Sequence, residues 1–288
     1  MKNQSIIGVD VGGTKICFGK VKNGILIEHL EIPTRADRES QDIINDIIMG
    51  IETLIDSSTF GIGIGAPGLV DEERGIVYDV QNIASWKEVH LSSVIENYFN
   101  RIVQISNDAN CFMMGEKIFG KGRAYRNLVG ITLGTGVGGG IVVDNKLYPG
   151  TLMAGEFCGI SYKDSNYDFY CGSKFFSEKH SMSGFEIAQK AMTGHKKSLE
   201  IYDEYGKNLS DLFKIIMLVL NPEAIILGGS ISKSYTLFES SLKYHLSQFS
   251  LNRVVRNTKI EVSDTENIAV IGAAALVYNH KKWIEVIK

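Results

Sequence analysis

No stretch of this 288-residue chain approaches the roughly 18 uncharged apolar residues that a membrane-spanning helix needs. The N-terminal apolar run is broken by Asp10, too early for the core of a signal peptide. Cysteine is sparse. Cys17, Cys111, Cys158 and Cys171 form no CxxC pair, and in a chain this long they imply a reducing compartment rather than a disulfide framework. The Asn-x-Ser sequences at Asn3 and Asn208 are then chance matches. Charge of one sign is lacking too: 30 Lys+Arg face 33 Asp+Glu, a net of -3, with no basic tail and no acidic block. That gives no electrostatic case for nucleic acid or for an anionic membrane as partner. A cytoplasmic globular protein is the expectation that these absences leave.

What the chain does have is apolar residues, 44%, and glycine, 30 residues, clustered at 8–24, 61–75, 130–140 and 228–229. The apolar share is ample for a buried core. Between the glycine clusters lie β-branched runs and helical patterns, so glycine punctuates turns here. Ser5–Asp10 reads as a strand, Gly12-Gly13-Thr14 as a turn and Ile16–Val21 as a returning strand; Asn23-Gly24 is a hairpin signal before a third strand, Ile25–Ile32. From Asp37 the isoleucines at 43, 44, 47, 48 and 51 recur at helical spacing. Strands are expected at Phe60–Gly65 and Val103–Ser106, with a helix from Ala109 to about Phe119. The pattern then restarts, with a strand at Leu128–Leu133, a glycine turn over Gly134–Gly140 and a returning strand at Ile141–Val143. Helices at 185–193 and 199–220, strands at Ala224–Leu227 and Lys259–Ser263 and a small-residue helix from Ile268 to Tyr278 complete an α/β chain of two similar lobes and a central cleft.

The glycine turns resemble known nucleotide loops without matching them. Gly8-Val-Asp-Val-Gly-Gly-Thr-Lys15 has Thr before Lys and leads into a strand, which a Walker A loop does not. Residues 134–139 fit GxGxxG, but they too open a strand, against a dinucleotide fold. A glycine hairpin can still cradle phosphate with its amides, helped by the hydroxyls of Thr14 and Thr135 and the charge of Lys15. Asp10, at a strand end, could hold Mg²⁺ through water. Each turn taken alone also reads as an ordinary hairpin.

In order along the chain, Asp10-Val-Gly-Gly-Thr-Lys15, Gly65-Ala-Pro-Gly68, Asn107-Asp108-Ala109-Asn110, Leu133-Gly-Thr-Gly-Val-Gly-Gly-Gly-Ile141, Gly155-Glu156 and Asn221-Pro222 through Gly228-Gly229 resemble the ROK family (repressors, open reading frames and kinases) of the actin-like ATPase superfamily. The resemblance spans nearly the whole chain. It implies a two-lobed actin-like (ribonuclease H-like) α/β fold, with a smaller lobe of residues 1–108 plus a C-terminal helix over 268–288, and a larger lobe of 109–267. It implies ATP with Mg²⁺, bound by Asp10, Gly12, Gly13, Thr14, Lys15, Gly134, Thr135, Gly136, Gly228 and Gly229, and phosphorylation of a hexose, usually at its 6-hydroxyl. Asp108 would be the general base, although Asn107 or Asp108 can equally cap the helix that follows. Gly68, Asn82, Asn107, Asp108, Glu156 and Glu178 would meet the sugar. A homo-oligomer, a dimer, is expected.

The pattern breaks at the family's structural zinc. Its GExGH segment here reads Gly155-Glu156-Phe157-Cys158-Gly159, and of its CxCGxxGCxE segment only Cys171, Gly172 and Glu178 match, with Phe169 and Phe176 in place of two cysteines. A tetrahedral zinc needs four N or S ligands, so no structural zinc is expected, and buried aromatic rings should hold the loop instead. The lost His also weakens the sugar assignment. Glucose is the default, and an N-acetylhexosamine, mannose, fructose or allose stays open. The alternatives in other classes are a sugar-binding ROK protein without kinase activity and a repressor. The repressor's helix-turn-helix module is not expected, because the first phosphate strand starts within the first few residues.

Overall fold

The computed structural model describes residues 4–278; residues 279–288, the end of the helix expected over 268–288, lie outside them. Strands β1 (Ser5–Val11), β2 (Lys15–Lys22) and β3 (Ile25–Pro33) lead into helix α1 (Ser40–Glu52) and strand β4 (Thr59–Ala66). Short strands β5 (Leu69–Asp71), β6 (Ile76–Tyr78) and β7 (Glu88–Val89) follow, then α2 (Leu91–Phe99), β8 (Ile102–Asn107) and α3 (Asp108–Ile118). The second half runs through β9 (Leu128–Leu133), β10 (Val137–Val143), β11 (Lys146–Leu147), β12 (Ser161–Tyr162), β13 (Ser165–Asn166), α4 (Tyr167–Cys171), α5 (Lys174–Ser177), α6 (Gly184–Met192) and α7 (Lys196–Leu220). It closes with β14 (Ala224–Gly228), α8 (Tyr235–Ser247), α9 (Asn252–Asn257), β15 (Lys259–Val262) and α10 (Ile268–Tyr278). Among the described residues no helix is long and apolar enough to cross a membrane.

The chain divides into two compact units, one of residues 1–123, 147–154 and 265–288, the other of 124–146 and 155–264. Helix α3 therefore goes with the first unit, which differs from a division after residue 108. The cause is packing. Gly272 of α10 lies so close to α3 that a Cβ there would stand 1.8 Å from Cys111 O. Helix α10 lies as tightly on the sheet: a Cβ at Gly8 would meet Val270 O at 2.1 Å, and one at Gly63 would meet Ala273 O at 1.8 Å. Small residues on both sides let two backbones touch, and nothing larger fits.

The sheet of the first unit has the order β3-β2-β1-β4-β8, with β1, β4 and β8 parallel and β1-β2-β3 antiparallel. One face carries the buried Ile7, Val9, Phe18, Ile62 and Ile64 against the α1 stripe of Ile43, Ile44, Ile47, Ile48 and Ile51. On the other, Ile6 and Val21 pack with Ile271, Ala274 and Val277 of α10. A sheet covered on both faces needs near-continuous apolar strands, and β1 and β4 have them. The sheet of the second unit, β11-β10-β9-β14-β15, repeats the scheme of one antiparallel hairpin followed by parallel neighbours. Its core gathers Ile131, Leu133, Ile225 and Leu227 with Tyr202, Tyr205, Leu209, Leu212, Phe213 and Ile216 of α7.

Two readings of the sequence are corrected. The turn at 134 is short, since β10 begins at Val137 and takes in Gly138, Gly139 and Gly140. Gly139 belongs in a strand because the backbone of Gly155 crosses it, and a Cβ there would lie 2.2 Å from Gly155 O. Helix α1 starts at Ser40, after the Asp37 at which its pattern begins.

Candidate active site

In the first unit the parallel strands β1, β4 and β8 end in register: Asp10 pairs with Gly65, and Gly65 with Ser106. Carboxyl ends of parallel strands are where α/β sheets bind ligands. Half-buried Asp10 and, two residues beyond Ser106, half-buried Asp108 are placed there. The carboxyl of Asp10 is pushed up to about 7, first by burial and then by the neighbouring Asp108 carboxylate, while Lys15 acts in the opposite direction. Asn107 is the N-cap of α3 and accepts from Ala109 N at 2.9 Å, and Asp108 Oδ1 accepts from the same amide at 2.8 Å. Asn107 Nδ2 also donates to Gly68 O at 3.1 Å, tying the loop after β4 to the start of α3. Capping thus falls to both residues.

The hairpin between β1 and β2 closes with Gly12 N to Lys15 O at 2.9 Å, and Thr34 braces it through bonds to Gly12 O at 2.6 Å and Thr14 O at 3.0 Å. Thr14 and Lys15 are exposed. Asn82 packs on the turn, for a Cβ at Gly13 would stand 2.7 Å from Asn82 Cβ. The Lys15 ammonium pairs with Glu31 at 2.6 Å. Sequence reasoning missed Glu72. It accepts from Ser106 Oγ and from the Asn110 side chain, one residue before and two after the Asn107–Asp108 turn. A lone Glu after β5 carries no signal of this in the sequence.

In the second unit the 134–136 turn is built differently. Gly134 N donates to Gly136 O at 2.9 Å, and the 168–173 segment supports the turn from outside. Val137 N donates to Asp168 Oδ1 at 2.9 Å, and Ser173 N to Gly134 O at 2.9 Å. Asp168 and Ser173 were also missed, because they lie in the segment where the family pattern decays. Gly229, in the left-handed region at φ 83°, lies against β9, where a Cβ would meet Leu133 O at 2.3 Å, so the 228–229 turn adjoins the 134–136 turn. Half-buried Glu156 accepts from Cys158 Sγ at 3.1 Å. Glu178 is exposed at the end of α5, and among the described residues no hydrogen bond joins it to Glu156.

At the family's zinc segment Phe176 is fully buried and stacks on Tyr205 with ring centroids 5.2 Å apart; Phe175, Tyr202 and Phe238 complete the cluster. Cys171 is fully buried, its thiol held well above the usual range by burial, and its carbonyl accepts from Tyr205 Oη at 2.7 Å. Phe169 is only half-buried, against Tyr170. Gly159 faces open space.

The description "ROK family" matches residues 6–280. A glucokinase of Halalkalibacterium halodurans is 30% identical over 99% of this chain and 98% of its own length. A xylose repressor of Bacillus spizizenii is 26% identical over 98% of this chain and 78% of its own. Among solved structures, a ROK family glucokinase from Streptomyces griseus in complex with glucose and AMPPNP superimposes with a TM-score of 0.81 at 24% identity, over 94% of this chain and 98% of that one. The family match runs from the first strand into the last helix, so the chain belongs to the ROK family and has its actin-like α/β fold.

Proposed function

We propose that the chain is an ATP-dependent sugar kinase that transfers the γ-phosphoryl group to a hydroxyl of a hexose, the 6-hydroxyl of a glucose-like sugar by default. The observation that carries this reading is the pair Asp10 and Asp108 at the carboxyl ends of parallel strands, close enough that one perturbs the other. Phosphoryl transfer asks for alignment, charge neutralisation and one acceptor for the hydroxyl proton. Asp108, rigidly seated at the start of α3, accepts that proton as the sugar oxygen bonds to phosphorus and the bond to the ADP oxygen breaks. Two neighbouring carboxylates fit a divalent cation, and Asp10 would hold Mg²⁺ through water; the ion neutralises phosphate charge when bound. The turns 12–15 and 134–136 are the phosphate-binding candidates of their units, with Gly228 and Gly229 beside the second. Gly68, Asn82 and Asn107 offer the first unit's sugar contacts, and Glu156 and Glu178 are the second unit's candidates.

An ADP-coupled assay over hexoses and hexosamines tests this. ADP release with at least one sugar is expected, and Asp108→Asn should lower kcat by about 10²–10⁴ while nucleotide still binds. A variant that keeps more than about a tenth of the wild-type kcat refutes Asp108 as base. Sugar binding with no ADP release would favour a non-catalytic sugar-binding protein.

A further inference from the structure

Cys17 on β2 stands directly opposite Glu31 on β3, and His29 is opposite Gly19, two residues along, so Cys17, His29 and Glu31 share one face of the hairpin. One ligand atom from each lies within 4.8 Å of the others, the one such trio of His, Cys, Asp or Glu residues among the described residues. Cys17 is buried while His29 and Glu31 are exposed, which makes a thiol floor with two exposed donors above it. We infer that Cys17, His29 and Glu31 form a binding site for one exchangeable zinc-class cation, with solvent in the fourth coordination position.

The donor set selects the metal. A thiolate with an imidazole and a carboxylate suits zinc, whereas Mg²⁺ and Ca²⁺ take oxygen. Zinc bonds of about 2.0–2.3 Å in a tetrahedron put ligand atoms about 3.3–3.8 Å apart. Cys17 Sγ and Glu31 Oε2 are already 3.7 Å apart. Only the remaining separations must close, by about 1 Å, through rotation of exposed side chains. The antiparallel register fixes the Cα positions beforehand. The Lys15 ammonium now occupies Glu31 Oε2, through an exposed ion pair of the kind that is readily exchanged. Burial above all, then Asp10 and Glu31, push the Cys17 thiol up to about 11 against the pull of Lys15, so binding expels a proton. A bound cation frees Lys15 from Glu31 and lies beside Asp10, which pairs with Cys17 across β1 and β2. The site itself does not depend on the kinase reading.

Cobalt(II) is the probe, titrated into the full chain in excess Mg²⁺ on a Cys158→Ser background, which removes the one cysteine that is not buried. One equivalent should give a thiolate-to-cobalt charge-transfer band and the visible bands of a four-coordinate ion, both abolished by zinc. His29→Ala and Glu31→Gln, at exposed strand positions and folded by circular dichroism, should each weaken binding by at least about tenfold, the loss that even outer-sphere partners cause. Absence of a thiolate band, or bands that persist unchanged in His29→Ala, would overturn the site.

Discussion

Glu72 braces the Asn107–Asp108 turn from behind, through Ser106 on one side and Asn110 on the other. Its carboxyl is raised above the ordinary value by burial, with those two hydrogen bonds pulling the other way. A carboxyl that binds its proton more tightly in the folded state supports the fold below its folded pKa, and that support is lost as pH rises through it. Glu72→Gln has no such proton to lose. Its stability relative to wild type should therefore climb as pH rises from the acid range to neutrality, on top of a constant offset for the lost acceptor. Denaturant melts of both proteins across that range read the slope, and a constant difference would deny Glu72 this titration. Glu72→Ala leaves the Ser106 hydroxyl without this acceptor and should cost about 1–3 kcal/mol.

The aromatic block of α4, α5, α7 and α8 shows what was legible in the sequence. Phe169 and Phe176 could be read as residues that bind no metal, and Cys171 as a small buried hydrophobe. The rings that receive Phe176, on Tyr202 and Tyr205, come from α7, and Phe238 of α8 backs Tyr205, so no local pattern announces them. Gly138–Gly140 read as turn for the same reason: the strand that needs them is set by the remote backbone of Gly155. Strong periodicity, as in α1, α7 and the first hairpin, carried through, while two- and three-residue strands such as β5 to β7 have too few residues to show any. Phe176→Ala should destabilise the second unit by about 3–5 kcal/mol, measured by denaturant unfolding followed through its tyrosines. Exhaustive chelation should leave the near-ultraviolet circular dichroism of this cluster unchanged; a collapse of that signal would mean that a metal, not the rings, holds the segment. Gly139→Ala should displace the 155–159 loop, and a substrate affinity equal to wild type would speak against that loop's part in binding.

At the scale of the molecule, the first unit is assembled from three separated pieces of chain, and the second lies within the chain between the outer two. Helix α10 completes the first unit. Removal of residues 265–288 strips one face of its sheet and the partner of α3, so the amides of β1 and β4 should exchange with solvent far faster while those of β9 and β14 stay protected. Gly63→Val gives the same test in the full-length chain, because its side chain must displace Ala273 O, 1.8 Å from where Cβ would stand. Hydrogen exchange by mass spectrometry distinguishes the units. Protection of β1 and β4 equal to wild type in both variants would show that α10 is dispensable.

The glycine-lined seat of α10 also dictates an order of events during translation. Strand β1 leaves the ribosome long before its covering helix, an interval on the order of tens of seconds at elongation rates of about 5–20 residues per second. Through that interval the apolar backs of β1 and β4 have no lid, whereas every residue of the second unit has already been made before α10 begins. Of the two units, the one begun earlier is thus finished later, and nascent chains arrested before residue 265 should expose the β1–β4 sheet to protease and to chaperones while the second unit already resists both.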